Sequence, residues 1–479
     1  MGEFAGERGW GYDGVLWFAP YHAYGRPEDM RRFVDDAHRM GVSVILDVVY
    51  NHLGVAGNVL PRYAREYKNQ GPNDWGDGLN FDTGEARPAR RLVTENVAYW
   101  VDEFHVDGFR FDATQSVTDA SPRHILADAA AAARAAAPRK AIYLTAENEP
   151  QEARLMTPPA AGGYGFDALW NDDFHHSALV ALTGHRDAYF YDYAGSAREF
   201  VACVRHGFLF QGQHYHWQMK RRGSPARGLA PRAFVNFLEN HDQVANYGLG
   251  ERTWTRVSPP RLRALTTLLL LGPATPLLLQ GQEWNATARL SYFVDHGPEI
   301  AKAVKEGRAE FLRQFQRYDA PGSPDRFPDP NARETFEACR LDWRERERPV
   351  HARALALHRD LLELRRTDPT FAREGSDGVE VDAATISECA FVVRFFGVEP
   401  TGAEDRLLFI NLGVDLELAS VPEPLVAAPP GMEWRSVWSS DDPRYGGEGV
   451  REQPTHDGFF LPSDAAILLV PHPEPEAAP

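Results

Sequence analysis

Cysteine is scarce in this chain: Cys203, Cys339 and Cys389 are the only thiols in 479 residues, and their spacing matches neither a metal site nor a disulfide framework. Scarcity of this kind predicts reduced thiols in a cytoplasmic protein and excludes a small disulfide-stapled fold. Apolar runs all fall short of the roughly 20 residues that a membrane-spanning helix needs. The N-terminus has Glu3 and Glu7 among glycines where a secretion signal would place basic and then apolar residues, so neither export nor membrane insertion is expected. Positive charge is also in deficit. With 51 Lys and Arg against 68 Asp and Glu, the formal charge is -17, which argues against nucleic acid or an anionic membrane surface and favours a neutral partner.

What the chain does have is apolar residues, 43% of the total, enough to bury a large core. From Pro27, well placed at a helix start, Met30, Phe33, Val34, Ala37 and Met40 recur at helical spacing until Gly41. The β-branched run 42–49 then reads as a parallel strand buried on both faces. The alternation continues. A helical stripe of Val93, Val97, Trp100, Val101 and Phe104 precedes a strand over 106–111; an alanine-rich helix over 125–137 precedes a strand over 141–146. Further strands are expected over 166–170, 233–238 and 276–280, the last preceded by a helix over 262–271. Repeated β-α order predicts a parallel α/β sheet, with a barrel as its natural closure. After about residue 375 the helices stop, and short strands over 389–396, 406–410, 434–438 and 466–470 predict a small antiparallel β-domain. The expected division is therefore a catalytic barrel over 1–375, a β-domain over 376–471 and a frayed tail over 472–479.

Polar clusters stand where apolar strands end, the position of the active site in a β/α barrel. They are Asp47-Val-Val-Tyr-Asn-His52, Asp107-Gly-Phe-Arg-Phe-Asp112, Glu147-Asn-Glu149 and Glu239-Asn-His-Asp-Gln243. Arg110 and Asp112 share one strand face while Phe109 and Phe111 take the other, so the charges face the lumen and the rings face the helices. An Arg beside Asp112 favours its ionised, nucleophilic form; an ordinary buried ion pair is the bland alternative. Glu147 emerges at the next strand end and can meet Asp112 across a cleft, as the paired carboxylates of a glycosidase do. Glu149 has the same parity and is its rival as acid. Asp242 is a candidate to stabilise positive charge on a sugar ring, against an alternative as a helix N-cap. Asp172, Asp173, His175 and His176 could form a metal cluster by composition.

Taken in order, these four clusters resemble the four sequence regions of the α-amylase superfamily, over roughly residues 9 to 315. That resemblance implies a retaining double displacement on α-glucosidic bonds, with Asp112 as nucleophile, Glu147 as general acid/base and Asp242 as transition-state stabiliser. Arg110, His52 and His241 would bind or orient the reacting sugar. Finer features, Gly9-Trp-Gly-Tyr-Asp-Gly14, Trp75-Gly-Asp-Gly-Leu-Asn-Phe-Asp82, Trp170-Asn-Asp-Asp-Phe-His-His176, Asn240-His-Asp-Gln243 and Gly281-Gln-Glu-Trp284, resemble the superfamily's trehalohydrolase branch. This implies cleavage of the α-1,4 bond next to the terminal trehalose of maltooligosyl trehalose, with no cofactor and no required metal. Tyr12, Trp170 and Trp284 are then candidates for sugar stacking, and Asp172, His175 and Gln243 for sugar hydrogen bonding. A related α-glucan hydrolase or branching-type transglycosylase carries the same residues, and a silent remnant that only binds oligosaccharide is the non-enzyme alternative. The resemblance also implies two barrel strands ahead of the Trp10 segment, so the strand over 42–49 is expected at one open edge of the sheet and Leu277 to Leu279 at the other.

Overall fold

The β-branched and aromatic segments that precede each polar cluster form short strands, and the amphipathic segments between them form helices. The computed structural model describes residues 2–69, 76–319, 327–372, 380–455 and 458–474; Trp75 and the expected domain boundary near 375 lie outside these. Strands β1 (Ile45–Val48), β2 (Gly108–Phe111), β3 (Tyr143–Ala146), β4 (Ala168–Trp170), β5 (Phe234–Phe237) and β6 (Thr275–Leu277) pair in that order as one parallel sheet. Helix α1 (Pro27–Arg39) precedes β1; α2 (Arg87–Phe104), α3 (Ile125–Ala136), α4 (Asp172–Thr183), α5 (Ala197–His206) and α6 (Pro259–Leu271) lie between the strands in sequence; α7 (Pro298–Leu312) and α8 (Pro349–Thr367) follow. Six parallel strands with their helices match the α/β alternation expected from sequence. Two short strands, Gly2–Glu3 and Leu16–Pro20, form a separate antiparallel pair.

The two faces of the sheet divide as strand parity requires. Leu46, Val48, Phe109, Phe111, Leu144 and Ala146 pack with Val93, Val97, Trp100 and Phe104 of α2 and with Ile125, Ala129 and Ala133 of α3. Register places Asp47 beside Arg110 and Arg110 beside Thr145, so a polar row crosses the opposite face. Asp107 pins the start of β2: its carboxylate accepts from the Val44 N–H at 2.6 Å and from His38 Nε2 at 2.8 Å, and pairs with Lys140 at 2.8 Å. These cationic and amide partners hold Asp107 below the usual carboxylate range, against its burial.

The edges lie at β1 and β6. At β6 the pairing ends at Leu277, two residues earlier than the run to Leu279 expected from sequence. At β1 the expectation of a strand buried on both faces is corrected: only Leu46 and Val48 are buried, Ile45 is 43% exposed, and Val42 is exposed before it. An edge strand has a packing partner on one side only, so continuous hydrophobicity does not guarantee burial. For the same reason α1 buries Val34 but leaves Phe33 and Met40 in solvent.

Strands β7 (Glu380–Thr385), β8 (Ala390–Phe396), β9 (Arg406–Asn411), β10 (Met432–Ser439) and β11 (Ala465–Pro473) form an antiparallel sheet in the order β7-β8-β9-β11-β10. One face packs on α5 and α6 through Phe200, Leu268, Phe391, Leu408, Ile410 and Leu468, with Phe200 and Phe391 stacked at 5.5 Å. The last strand reaches Pro473, so the start of the tail expected to fray is paired with β10.

Gly108 marks the closest backbone approach in the parallel sheet. A Cβ there would stand 1.9 Å from the Tyr143 carbonyl oxygen. Gly108→Ala is therefore expected to force β2 and β3 apart at a cost of about 3 kcal/mol; a thermal melt within error of the parent would contradict this packing.

Candidate active site

Arg110 organises the site from the middle of β2. Its guanidinium, 4% exposed, donates from Nη1 to both Asp47 oxygens at 2.9 and 3.0 Å and to Asp112 Oδ1 at 2.6 Å, and from Nη2 to Glu147 Oε2 at 2.5 Å. Three carboxylates from three neighbouring strand ends thus share one cation. Register explains it, since Asp47 lies opposite Arg110, Asp112 follows β2 on the same parity, and Glu147 follows β3. Asn51 Nδ2 adds a bond to Asp112 Oδ2 at 3.2 Å, and the Ala113 N–H donates to Glu147 Oε2 at 3.2 Å. The ring of Trp170 lies under Arg110, with the guanidinium carbon 4.5 Å from its centroid.

A second layer carries Asp242. Asn240 caps the short helix His241–Ala245 by accepting from the Gln243 N–H at 2.8 Å, so the cap is Asn240 and Asp242 is released from that alternative. The Asp242 side chain is 44% exposed, with His241 Nε2 at 3.3 Å. Tyr12 joins the layers: its hydroxyl lies 2.9 Å from Asp47 Oδ2 and 2.7 Å from His241 Nε2, and its ring stacks on His241. His52 is buried beside Asn51, and burial lowers it to about 4, so it is neutral at physiological pH. Gln243 accepts from the Tyr189 hydroxyl at 2.8 Å.

The electrostatics of Asp112 differ from the simple pair expected on the strand. Burial pushes its carboxyl well above the usual carboxylate range; Arg110 pulls it down, while Glu147, Asp47 and Asp242 add to the rise. Desolvation and three like charges outweigh one cation that is itself divided among them.

The structure brings Asp112, Glu147, Asp242, Arg110, Tyr12, His52, His241 and Gln243 into one neighbourhood, with Trp170 as its floor. Trp170 presents its face to Arg110, a different use from the stacking expected for it. Two candidates are corrected. Trp284, 1% exposed, packs on the half-exposed Trp343 at 4.9 Å and presents almost no surface to a ligand. His175 is equally buried against Phe237, bonded to His176 at 3.0 Å, and held near 3 by burial. Asp172 lies nearby, half-buried, and burial pushes it up to about 8. The rival Glu149 is taken by Arg222, whose Nη1 donates to its Oε1.

Asp47, Tyr189 and Arg222 were not anticipated as site residues. Asp47 had a legible signal, its place at the end of an apolar run with Arg110 in register. The others come from loops or from a hairpin far from any strand end, where no period marks them.

No protein-family model matches the chain. It is similar to the malto-oligosyltrehalose trehalohydrolase of Deinococcus radiodurans, 40% identical over 430 residues that cover 87% of this chain and 66% of that protein. A protein of the same name from a Rhizobium species is 39% identical over 380 residues, 78% of this chain and 63% of that one. The chain thus spans a little under two thirds of the length of these relatives. A solved structure from Salmonella typhimurium, named as a candidate α-amylase, superposes with a TM-score of 0.82 at 32% identity, covering 98% of this chain and 75% of that one.

The nucleophile role expected of Asp112 from sequence needs an ionised carboxylate, and its carboxyl is raised, so activity should climb with pH through an acid limb above the usual carboxylate value of about 4. Asp47→Asn removes one of the charges that raise it, so the limb should move to lower pH. A kcat/KM profile with its acid limb near 4 in both proteins would exclude Asp112 as the titrating group.

Proposed function

The chain belongs to the α-amylase superfamily of glycoside hydrolases, and from that premise we propose that it hydrolyses the α-1,4-glucosidic bond next to the terminal trehalose of maltooligosyl trehalose, with retention at the anomeric carbon. The observation that carries the reading is the single Arg110 guanidinium joining Asp112 and Glu147 at adjacent strand ends. Two carboxylates so joined suit a double displacement. Asp112 attacks the anomeric carbon while Glu147 protonates the leaving oxygen; the glycosidic bond breaks and a glucosyl ester forms on Asp112. Glu147, now a carboxylate, takes a proton from water, which attacks the same carbon and releases Asp112. Arg110 and the Ala113 N–H hold Glu147 by one oxygen, Oε2, so Oε1 carries the proton. Asp242 offsets the positive charge of the oxocarbenium-like transition state.

Trehalose as the leaving group is supported by the name that the relatives share. Net negative charge suits a neutral oligosaccharide. The three free cysteines fit a reducing, cytoplasmic setting, and among the described residues no helix is long and apolar enough to cross a membrane. Glu147 is favoured over Glu149 as the acid because it shares the Arg110 guanidinium with Asp112, whereas Glu149 is held by Arg222 instead.

Incubation with maltotriosyl trehalose should yield free trehalose and a sugar whose new reducing end is first seen by NMR as the α-anomer. Maltose, new α-1,6 branches or the β-anomer would overturn the reading. Asp112→Asn should lower kcat roughly a thousand-fold or more with the fold intact. Glu147→Gln should fail on the oligosaccharide yet retain much of its rate on an aryl α-glycoside, whose leaving group needs no proton. The same pattern in Glu149→Gln, with Glu147→Gln near normal, would exchange the two roles.

A further inference from the structure

Tyr12 reaches the carboxylates from a loop outside the parallel sheet. The short pair of Gly2–Glu3 with Leu16–Pro20, extended by a bond from the Val15 N–H to the Glu3 carbonyl at 2.8 Å, brings the two ends of residues 4–15 together. Phe4, 4% exposed, fills the base of this loop and stacks on Tyr21 at 4.0 Å, while the Tyr21 hydroxyl donates to the Gly6 carbonyl at 2.7 Å. A segment of this length, closed at its base and packed on its own side chain, is a compact Ω-loop. Its far end carries Trp10 and Tyr12 into the site. Trp10 meets His241 edge-on at 5.2 Å, and the Tyr12 hydroxyl is bonded to Asp47 and His241 and accepts from Arg110 Nη1 at 3.3 Å.

A closed base leaves the direction of such a tip free; a second attachment fixes it. The loop that follows β6 supplies that attachment at Asp295. One carboxylate oxygen, Oδ2, accepts from the Glu7 N–H at 2.8 Å, and the other, Oδ1, pairs with Arg8 Nη2 at 2.9 Å. Arg8 Nη2 also donates to the Asn331 carbonyl at 2.9 Å, so the ion pair is itself braced. The approach is close: Gly6 has a φ of +100°, and a Cβ there would stand 2.4 Å from the Asp295 carbonyl oxygen. Beyond the tip, the Asp13 carboxylate lies 3.6 Å from His296 Nε2, and the Asp13 carbonyl packs on Gly54 after β1, where a Cβ would come within 2.4 Å of it. The Ω-loop thus touches the loops that follow both edge strands of the sheet.

We infer that Asp295 is a positioning residue for Tyr12: by gripping two successive residues, Glu7 and Arg8, it sets where the tip of the Ω-loop lies and holds the Tyr12 hydroxyl among Asp47, His241 and Arg110. Both of its grips go to the loop, so it acts through Tyr12 and not on the sugar. This rests on the glycosidase reading above and adds a residue that stands outside every strand-end cluster. An ion pair with partly exposed partners adds little to global stability. Two grips on one carboxylate, beside a glycine with no room for a side chain, fix orientation instead.

The test is a double-mutant cycle on maltotriosyl trehalose. Asp295→Ala removes both grips and should lower kcat/KM roughly ten-fold or more, with the thermal melt little changed. Asp295→Asn keeps an oxygen for the Glu7 N–H but loses the ion pair, and should retain more of the rate. Tyr12→Phe should cost at least as much as Asp295→Ala, and in the Tyr12→Phe background Asp295→Ala should cost less than about two-fold, because no hydroxyl is left to position. If Asp295→Ala does not fold, Arg8→Met breaks the ion pair from the other side and runs through the same cycle. Equal losses in the two backgrounds, or a parental rate for Asp295→Ala, would overturn the positioning role while leaving the hydrolase reading intact. A parent protein inert on this substrate and on an aryl α-maltotrioside would instead overturn the hydrolase reading, and the positioning role with it.

Discussion

Arg110 sits between Asp47, Asp112 and Glu147, and the arrangement of the site depends on that shared cation. Three carboxylates brought this close in a half-buried space repel one another, and each pays for lost hydration. One guanidinium cannot neutralise all three, but its planar fork can satisfy them from fixed directions, which a lysine could not. The cation is itself strongly held: its neighbours push Arg110 well above its ordinary value despite complete burial. Removing it would strand Asp112 and Glu147 without their cation, a loss on the order of 3–5 kcal/mol. Trp170 below and Tyr12 beside it leave the guanidinium no other position.

That constraint reaches the rest of the fold through register. Asp47, Arg110 and Thr145 stand in one row only because β1, β2 and β3 pair in parallel without slip, and a shift by one residue would turn all of them into the helix-packed core. Two features at the opposite ends of these strands hold the pairing. Asp107 binds the Val44 amide before β1 and the Lys140 ammonium before β3, and Gly108 lets the Tyr143 carbonyl approach where any side chain would intrude. The antiparallel sheet contributes from the other side, since Phe391, Leu408 and Leu468 bury the outer faces of α5 and α6.

Much of this was legible in the sequence because period carries it. Each parallel strand was marked by a β-branched or aromatic run between helical stripes, and parity alone assigned Phe109 and Phe111 to the core and Arg110 and Asp112 to the polar face. Strand ends were overestimated by one to three residues, because apolar side chains continue past the last ladder bond into helix-packed turns; Val106 is buried but precedes β2. Trp284 and His175 misled for a different reason. A motif letter tells which residue is present, but the helix or turn that carries it decides which way it faces, and both turned inward. The tuning of Asp112 was also beyond reach, since its rise comes first from burial and then from Glu147, Asp47 and Asp242, the last two of which lie 65 residues before it and 130 after it in the chain and act only once the strands are assembled.

The adjacent pair Asp172 and Asp173 carries this reasoning furthest. They are identical letters at the first turn of one helix, yet successive helical residues are rotated by about 100°. Asp173 therefore points into the interior, where Tyr193, the Phe210 amide and Arg222 satisfy it completely, and it is fully buried. Asp172 gains no comparable partners, and burial, with the charges of Glu147 and Glu149 adding to it, pushes it up to about 8. The same arginine bonds one carboxylate and only approaches the other, at 3.9 Å, so a single step along α4 separates a fully partnered aspartate from one that is not. No composition or spacing distinguishes the two; the hairpin that delivers Arg222 from 49 residues away does.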